Sequence, residues 1–216
     1  MREKITPRQF HEAEGVEDWR MLTIGASALF RTGSFAVGVE LVNEIGKLAG
    51  SANHHPDVDL RYSSVTVRLM SHDVDGLSQR DVDLARKISE AARALGVPAD
   101  PAAVQDVQVS IDALVIPEVR AFWRAVLGYR EKGNEDLLDA HARGPSFWFQ
   151  EMETPRSQGN RIHVDVFVSH DQAEARVAAA VNAGGRLVTD QYAPAWWVLA
   201  DKEGNQACVA CWMGRD

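Results

Sequence analysis

His54 and His55 stand side by side in SANHHPDVDLRY (residues 51–62), and His72 follows shortly after, so three of the chain's seven histidines fall close together. An unperturbed imidazole titrates near pH 6.5, about the middle of the neutral range, so neighbouring histidines can act as base and acid in one reaction. A close cluster of such groups also spreads their pKa values apart, which is how acid and base roles are assigned. On a continuous strand His54 and His55 would face opposite sides. Pro56 restricts His55 to extended backbone, and a loop there could turn both rings toward one cleft with His72 beside them. Two other readings fit the same residues. One is a polar surface loop whose histidines hydrogen-bond locally. The other is a three-imidazole metal site of the catalytic-zinc kind, although adjacent histidines chelate poorly from regular structure.

The elements around these residues must position them. Thr6 to Ala13 reads as a short helix, with Thr6 as N-cap and Pro7 at its first position. WRMLTIGASALFRT reads as a hairpin turning near Gly25. Phe35, Val39, Val42, Ile45 and Leu48 follow at helical spacing, with Ser34 as cap and Gly50 as terminator. After the histidine loop, Val65, Val67 and Leu69 alternate with Thr66 and Arg68 as in a half-buried strand. SQRDVDLARKISEAARAL closes this part as a helix capped by Ser78, with Asp81 at the capping-box position and Val82, Ala85, Ile88 and Ala92 as its apolar face. The order is α-β-β-α-β-α. Gly96, Pro98 and Pro101 then stop the helix, which divides the chain into residues 1–102 and 103–216.

The second part carries an internal repeat. Glu118–Arg130 lies over Glu174–Arg186 at a constant offset, with Glu118/Glu174, Arg120/Arg176, Gly128/Gly184 and Arg130/Arg186 identical. Each segment reads as a helix ended by glycine and flanked by strands, which predicts two β-α-β-β-type units sharing a sheet.

Composition narrows the function classes. Hydrophobic residues make up 45% and charged residues 25%, the proportions of a globular protein, and the formal net charge is −8. Residues 1–100 carry 12 basic and 15 acidic side chains, and the remainder 11 and 16, so neither half offers a basic surface for nucleic acid or an anionic membrane. No apolar run has the length of a signal peptide or a membrane span. Cys208 and Cys211 form a CVAC pair on a strand-like segment, where residues three apart face opposite sides. That argues against zinc or redox chemistry and for reduced thiols in a cytoplasmic protein.

The stretch NHHPDVDLRY, followed by VTVRLMSHDVDGLSQRDVDLARKI, resembles the pterin-4a-carbinolamine dehydratases. Their pattern appears here as His54-His55-Pro56, Tyr62, His72, Gly76-Leu77-Ser78 and Asp81. The resemblance covers nearly all of residues 5–95. It implies dehydration of 4a-hydroxytetrahydropterin to the quinonoid dihydropterin, with a small-molecule pterin as partner and neither metal nor cofactor. His54, His55 and His72 would be the catalytic imidazoles. Asn53, Met70, Ser71, Asp73 and Asp81 would contribute to substrate binding, and a homo-oligomer is implied. Gly50 departs from the family's usual charged residue, and Asn53 and Val58 depart from its usual acidic and aromatic ones.

Residues 105–213 resemble the glyoxalase-like domains of the vicinal-oxygen-chelate superfamily through FWRAVLGY, RIHVDVFV and WWVLADKEGNQACV. The resemblance implies paired β-α-β-β-β modules and, in metal-using members, ligands from the first and last strands. His163, Gln108 and Cys208 are the matching candidates, with Glu151 a further one. Cysteine in place of a carboxylate at 208 weakens an oxygen-loving site. Trp123, Trp148, Trp196 and Trp197 either line an aromatic pocket or fill the core. The expected whole is a two-domain α+β protein, an antiparallel sheet with helices on one face followed by the paired modules. Three functions follow: a pterin-recycling lyase, a metal-dependent lyase or dioxygenase working from the second half, and a non-catalytic binding or dimerisation protein.

Overall fold

The computed structural model describes residues 3–22, 24–105, 107–154, 164–168, 172–211 and 213. The chain divides into two compact units, Met1–Asp106 and Val107–Asp216.

In the first unit, strands β2 (Arg20–Leu22), β3 (Gly25–Arg31), β4 (Asp57–Arg61) and β5 (Ser64–Leu69) form an antiparallel sheet in the order β2-β3-β5-β4. Helices α2 (Phe35–Ala52) and α3 (Gln79–Ala94) supply the apolar side of the core. The alternation read from the sequence is realised: Val65, Val67 and Leu69 of β5 are fully buried with Ala26, Ala28 and Phe30 of β3. Leu41 and Ile45 of α2 and Val82, Ala85, Ile88 and Ala92 of α3 join them. Trp19 packs edge-on to Phe30 and donates its indole N–H to Ser89 Oγ at 3.1 Å, so a buried ring and a buried hydroxyl satisfy each other.

The short helix α1 (Pro7–His11) starts at Thr6, whose hydroxyl and backbone N–H are bonded reciprocally to Gln9 in a capping box. The preceding strand β1 (Lys4–Ile5) pairs with β6 (Leu77–Ser78), fixing the entry to α3. After α3, residues 98–100 lie back against β3: Arg31 N–H donates to Pro98 O, Asp100 N–H donates to Leu29 O, and Arg31 pairs with the Asp100 carboxylate. The linker therefore belongs to the first unit's sheet.

Two local expectations change. Gly50 does not end α2. Its backbone is helical and a Cβ there would meet nothing, so the helix runs on to Ala52 and Asn53 takes the left-handed turn at φ 46. The segment expected as one polar loop instead becomes strand β4 from Asp57, paired with β5 from Asp57↔Arg68 to Arg61↔Ser64. The hairpin does turn next to Gly25, which is the first residue of β3 and pairs with Leu22. At φ +123 it approaches Leu69 so closely that a Cβ would lie 2.3 Å from the carbonyl oxygen. Gly25→Ala is expected to cost about 2–3 kcal/mol, from backbone strain and loss of this contact, as a lowered urea midpoint.

The second unit shows why its sequence repeats. The first module runs β7 (Gln108–Ala113), α4 (Ile116–Leu127), β8 (Arg130–Lys132), β9 (Asp136–Leu138) and β10 (Ser146–Glu151). The second runs β11 (Val164–Phe167), α5 (Ala173–Asn182), β12 (Arg186–Thr189), β13 (Trp196–Ala200) and β14 (Gln206–Ala210). The sheet orders are equivalent, β7-β10-β9-β8 and β11-β14-β13-β12, each with one parallel pair between its first and last strand. Among the described residues these are two sheets, not one shared sheet. Gly128 and Gly184 both follow the helices at positive φ, and Arg130 and Arg186 both begin the next strand. Trp123 and Trp197 sit in the core, where Trp123 stacks on Phe147 and donates to the buried Asp201 carboxylate. Trp148 and Trp196 are half-buried.

Asp139 closes the loop before β10 by accepting from the backbone N–H groups of His141, Arg143 and Gly144. Burial raises this carboxyl, but those donors outweigh it and hold its pKa below the ordinary value. A depressed pKa stabilises the fold above the unfolded-state value, and that contribution is lost as pH falls through the folded one. The stability gap between the wild type and Asp139→Asn is therefore expected to be widest near neutral pH. In urea titrations it should narrow below about pH 3.9.

Candidate active site

The site begins with how α2 stops. Asn53 in the left-handed region lets its own N–H return to the Gly50 carbonyl and the His54 N–H return to the Ala49 carbonyl at 3.1 Å, the pattern of a Schellman cap. That reversal turns His54 inward. Pro56 restricts His55, the residue before it, to extended backbone, and β4 carries the chain away. The His54 side chain is only 8% exposed, whereas His55 is exposed.

Asp81 receives it. This residue occupies the third position of α3, fully buried. Its Oδ1 lies 2.7 Å from His54 Nε2. Its Oδ2 accepts from Ser71 Oγ at 2.6 Å, from the Ser78 backbone N–H at 2.7 Å and from Ser78 Oγ at 3.2 Å. The capping-box reading of Asp81 and its place in the histidine cluster are thus one arrangement: one oxygen caps the helix and the other holds the ring. The positive N-terminal end of α3 favours the carboxylate there, and the four donors offset the cost of burying it.

An ionised carboxylate only accepts, so it fixes the His54 tautomer with Nε2 protonated and Nδ1 as the acceptor. Nδ1 can then take a proton from a substrate and return it, which is what acid–base chemistry requires of an imidazole.

His72 arrives by a different route. β5 ends at Leu69, half-buried Met70 follows, and Ser71 is pinned to Asp81 and to Ser78 Oγ at 2.8 Å. His72 opens a 3-10 turn, His72–Val74, and is exposed. The structure therefore gathers His54, Ser71, Ser78 and Asp81 directly around one carboxylate, with His72 one residue from that network. Asn53 is exposed beside His54, and Asp73 is partly exposed and ion-paired to Arg80. Two members of this network were not singled out as site residues from sequence: the Ser78 hydroxyl and Arg80. The S-x-x-D spacing of Ser78 and Asp81 was the available signal for the first.

The second unit gives a different result. His163 lies outside the described residues. Gln108 is exposed at the start of β7, in the first module's sheet, while Cys208 is buried in β14 of the second module's sheet. Burial, with Asp165 beside it, pushes the Cys208 thiol up to about 11, and a metal would need the thiolate. Among the described residues no three His, Cys, Asp or Glu side chains group as a metal would require. Gln108 pairs with Ser146 and the exposed Glu151 with Ala113, at opposite ends of the β7–β10 ladder. Cys211 points the other way, into the core, and donates to the Pro194 carbonyl. No described helix is long and apolar enough to cross a membrane.

Comparison with known proteins follows the same division. Residues 3–91 match the family described as "Pterin 4 alpha carbinolamine dehydratase", and residues 108–210 match the "Glyoxalase-like domain" family. A protein of Nocardia farcinica named "Putative pterin-4-alpha-carbinolamine dehydratase" is 39% identical over 80 residues, covering 37% of this chain and 84% of its own. A protein of the same name from Sulfurisphaera tokodaii is 34% identical over 88 residues, 40% of this chain and 95% of its own. Among solved structures, a transcriptional coactivator/pterin dehydratase from Brucella melitensis aligns with 42% of this chain and 99% of its own, at 22% identity and TM-score 0.40. A glyoxalase-related enzyme from Fulvimarina pelagi aligns with 50% of this chain and 87% of its own, at 14% identity and TM-score 0.41. Residues 108–210 are similar to the glyoxalase-like domain family, and through residues 3–91 the chain belongs to the pterin-4a-carbinolamine dehydratase family.

Proposed function

We propose that the first unit dehydrates 4a-hydroxytetrahydropterin to the quinonoid dihydropterin by acid–base catalysis from His54, His55 and His72. The observation that carries this reading is the buried Asp81–His54 pair, which prepares one imidazole nitrogen for proton transfer. In the reaction the C4a–O bond breaks, the ring-nitrogen proton leaves, a C=N bond forms and water departs. One imidazole removes the nitrogen proton while another supplies a proton to the leaving hydroxyl. No step calls for a metal or cofactor.

Ser71 and Asp81 are assigned to His54 rather than to the pterin, because each is at most 1% exposed and bonded to the other. Asn53, Met70 and Asp73 border the histidines and are the residues available to contact substrate. The working unit is taken as the compact unit Met1–Asp106, a little longer than residues 1–102. The second unit is read as an accessory small-molecule-binding domain, and the protein as a cytoplasmic homo-oligomer.

The test is stopped-flow decay of freshly generated 4a-hydroxytetrahydropterin. A rate that rises in proportion to full-length protein supports the reading. A rate equal to that of buffer at every protein concentration overturns it.

A further inference from the structure

The residues on both sides of His72 are tied to the same turn of α3. Ser71 donates to Asp81, and Asp73 pairs with the guanidinium of Arg80. Arg80 reaches in two directions at once: Nη2 to the Asp73 carboxylate, and Nε to Ser78 Oγ at 3.2 Å. Ser78 Oγ is itself bonded to Ser71 Oγ and Asp81. The loop between these anchors is closed at its base, with Ser71 N–H to Gly76 O at 2.8 Å and Gly76 N–H returning to Ser71 O. On its far side Lys4 Nζ donates to the Asp75 carbonyl at 2.7 Å.

We propose that Arg80 is a positioning residue for the dehydration reaction: by clamping Asp73 to the N-terminal turn of α3, it fixes where His72 stands relative to the Asp81–His54 pair. This role rests on the dehydratase reading of the site. The Ser71–Gly76 backbone bonds and the Lys4–Asp75 bond close the loop, and the Ser71 hydroxyl anchors its start on Asp81. The Asp73–Arg80 pair adds a side-chain anchor one residue beyond the histidine and narrows the freedom left to His72. Placement matters because a displacement of about 1 Å in a reacting group costs up to roughly 100-fold in rate. Arginine suits the task because one planar head serves two acceptors in different directions, which a lysine ammonium on a flexible stem does less well. The pair is partly exposed, at 33% and 43% for its two side chains, so its worth to global stability is small. Its effect is on geometry.

The test compares full-length wild type, Arg80→Ala, Arg80→Lys, Asp73→Asn and the exchanged pair Asp73→Arg/Arg80→Asp. Dehydration kinetics, thermal melting and amide hydrogen exchange across residues 71–76 are recorded for each. Arg80→Ala is expected to lower kcat about 10-fold or more, with a smaller change in KM and a melting temperature close to wild type. The amides of Val74, Asp75 and Gly76 should exchange faster. Arg80→Lys and the exchanged pair are expected to recover part of the loss. A wild-type rate equal to the spontaneous one overturns the dehydratase reading and this role with it. Wild-type activity that survives Arg80→Ala, with unchanged exchange in the loop, overturns the role alone.

Discussion

Asp81→Ala is expected to lose stability and activity together, whereas Asp81→Asn should lose activity with a smaller stability cost. The carboxylate accepts from His54 Nε2, Ser71 Oγ, the Ser78 N–H and Ser78 Oγ, all in a fully buried position. Alanine leaves those donors without a partner, at about 1–3 kcal/mol for each one that water does not reach. Partial hydration and shared bonds bring the total to about 3–4 kcal/mol. Asparagine keeps an oxygen for the three serine donors, so its amide NH2 must face His54. Nε2 then becomes the acceptor and the proton moves to Nδ1, reversing the tautomer that the carboxylate imposes. A rate loss of roughly 100-fold or more is expected from that reversal alone. Urea denaturation followed by tryptophan fluorescence reads the first effect, and dehydration rates at a temperature where both variants are folded read the second.

His54→Ala and His72→Ala should separate catalysis from stability. His54 is buried against Asp81, and its removal strands one oxygen of that carboxylate, so the expected outcome is a rate loss of roughly 100- to 10,000-fold together with a lowered urea midpoint. His72 is exposed, and its truncation should change stability by no more than about 0.5 kcal/mol while lowering the rate by a comparable factor. An unaltered rate in His72→Ala, with a folded protein, would remove that histidine from the mechanism.

Local chemistry made parts of this site legible in the sequence. The i, i+3 relation of Ser78 and Asp81 names a helix start and, with it, a carboxylate reaching back to the Ser78 N–H. The glycines at 128 and 184 mark where two helices stop, and the repeat they belong to anticipates modules with the same strand order. The inward turn of His54 was not legible, because it depends on α2 passing Gly50 and ending at a left-handed Asn53. Glycine is favoured at a cap but costs only about 0.5–1 kcal/mol inside a helix, so composition alone does not choose between them. Strand β4 was hidden for a related reason: as an edge strand it is mostly polar and exposed, and DVDLR carries only partial alternation. Strands β8 and β9 are each three residues long, too short for a periodic signal. The Ser71–Asp81 and Arg80–Asp73 contacts join residues ten and seven positions apart, across a strand end and a turn. Only the folded chain brings them together.

The most direct test of the Asp81–His54 pair as the catalytic core is a double-mutant cycle on the dehydration rate: wild type, His54→Ala, Asp81→Asn and the double variant, each full-length and folded. If Asp81 acts by orienting His54, the double variant should be about as slow as His54→Ala alone, because the carboxylate has nothing left to orient. Independent, multiplying losses, or a wild-type rate no faster than the spontaneous reaction, would contradict that role.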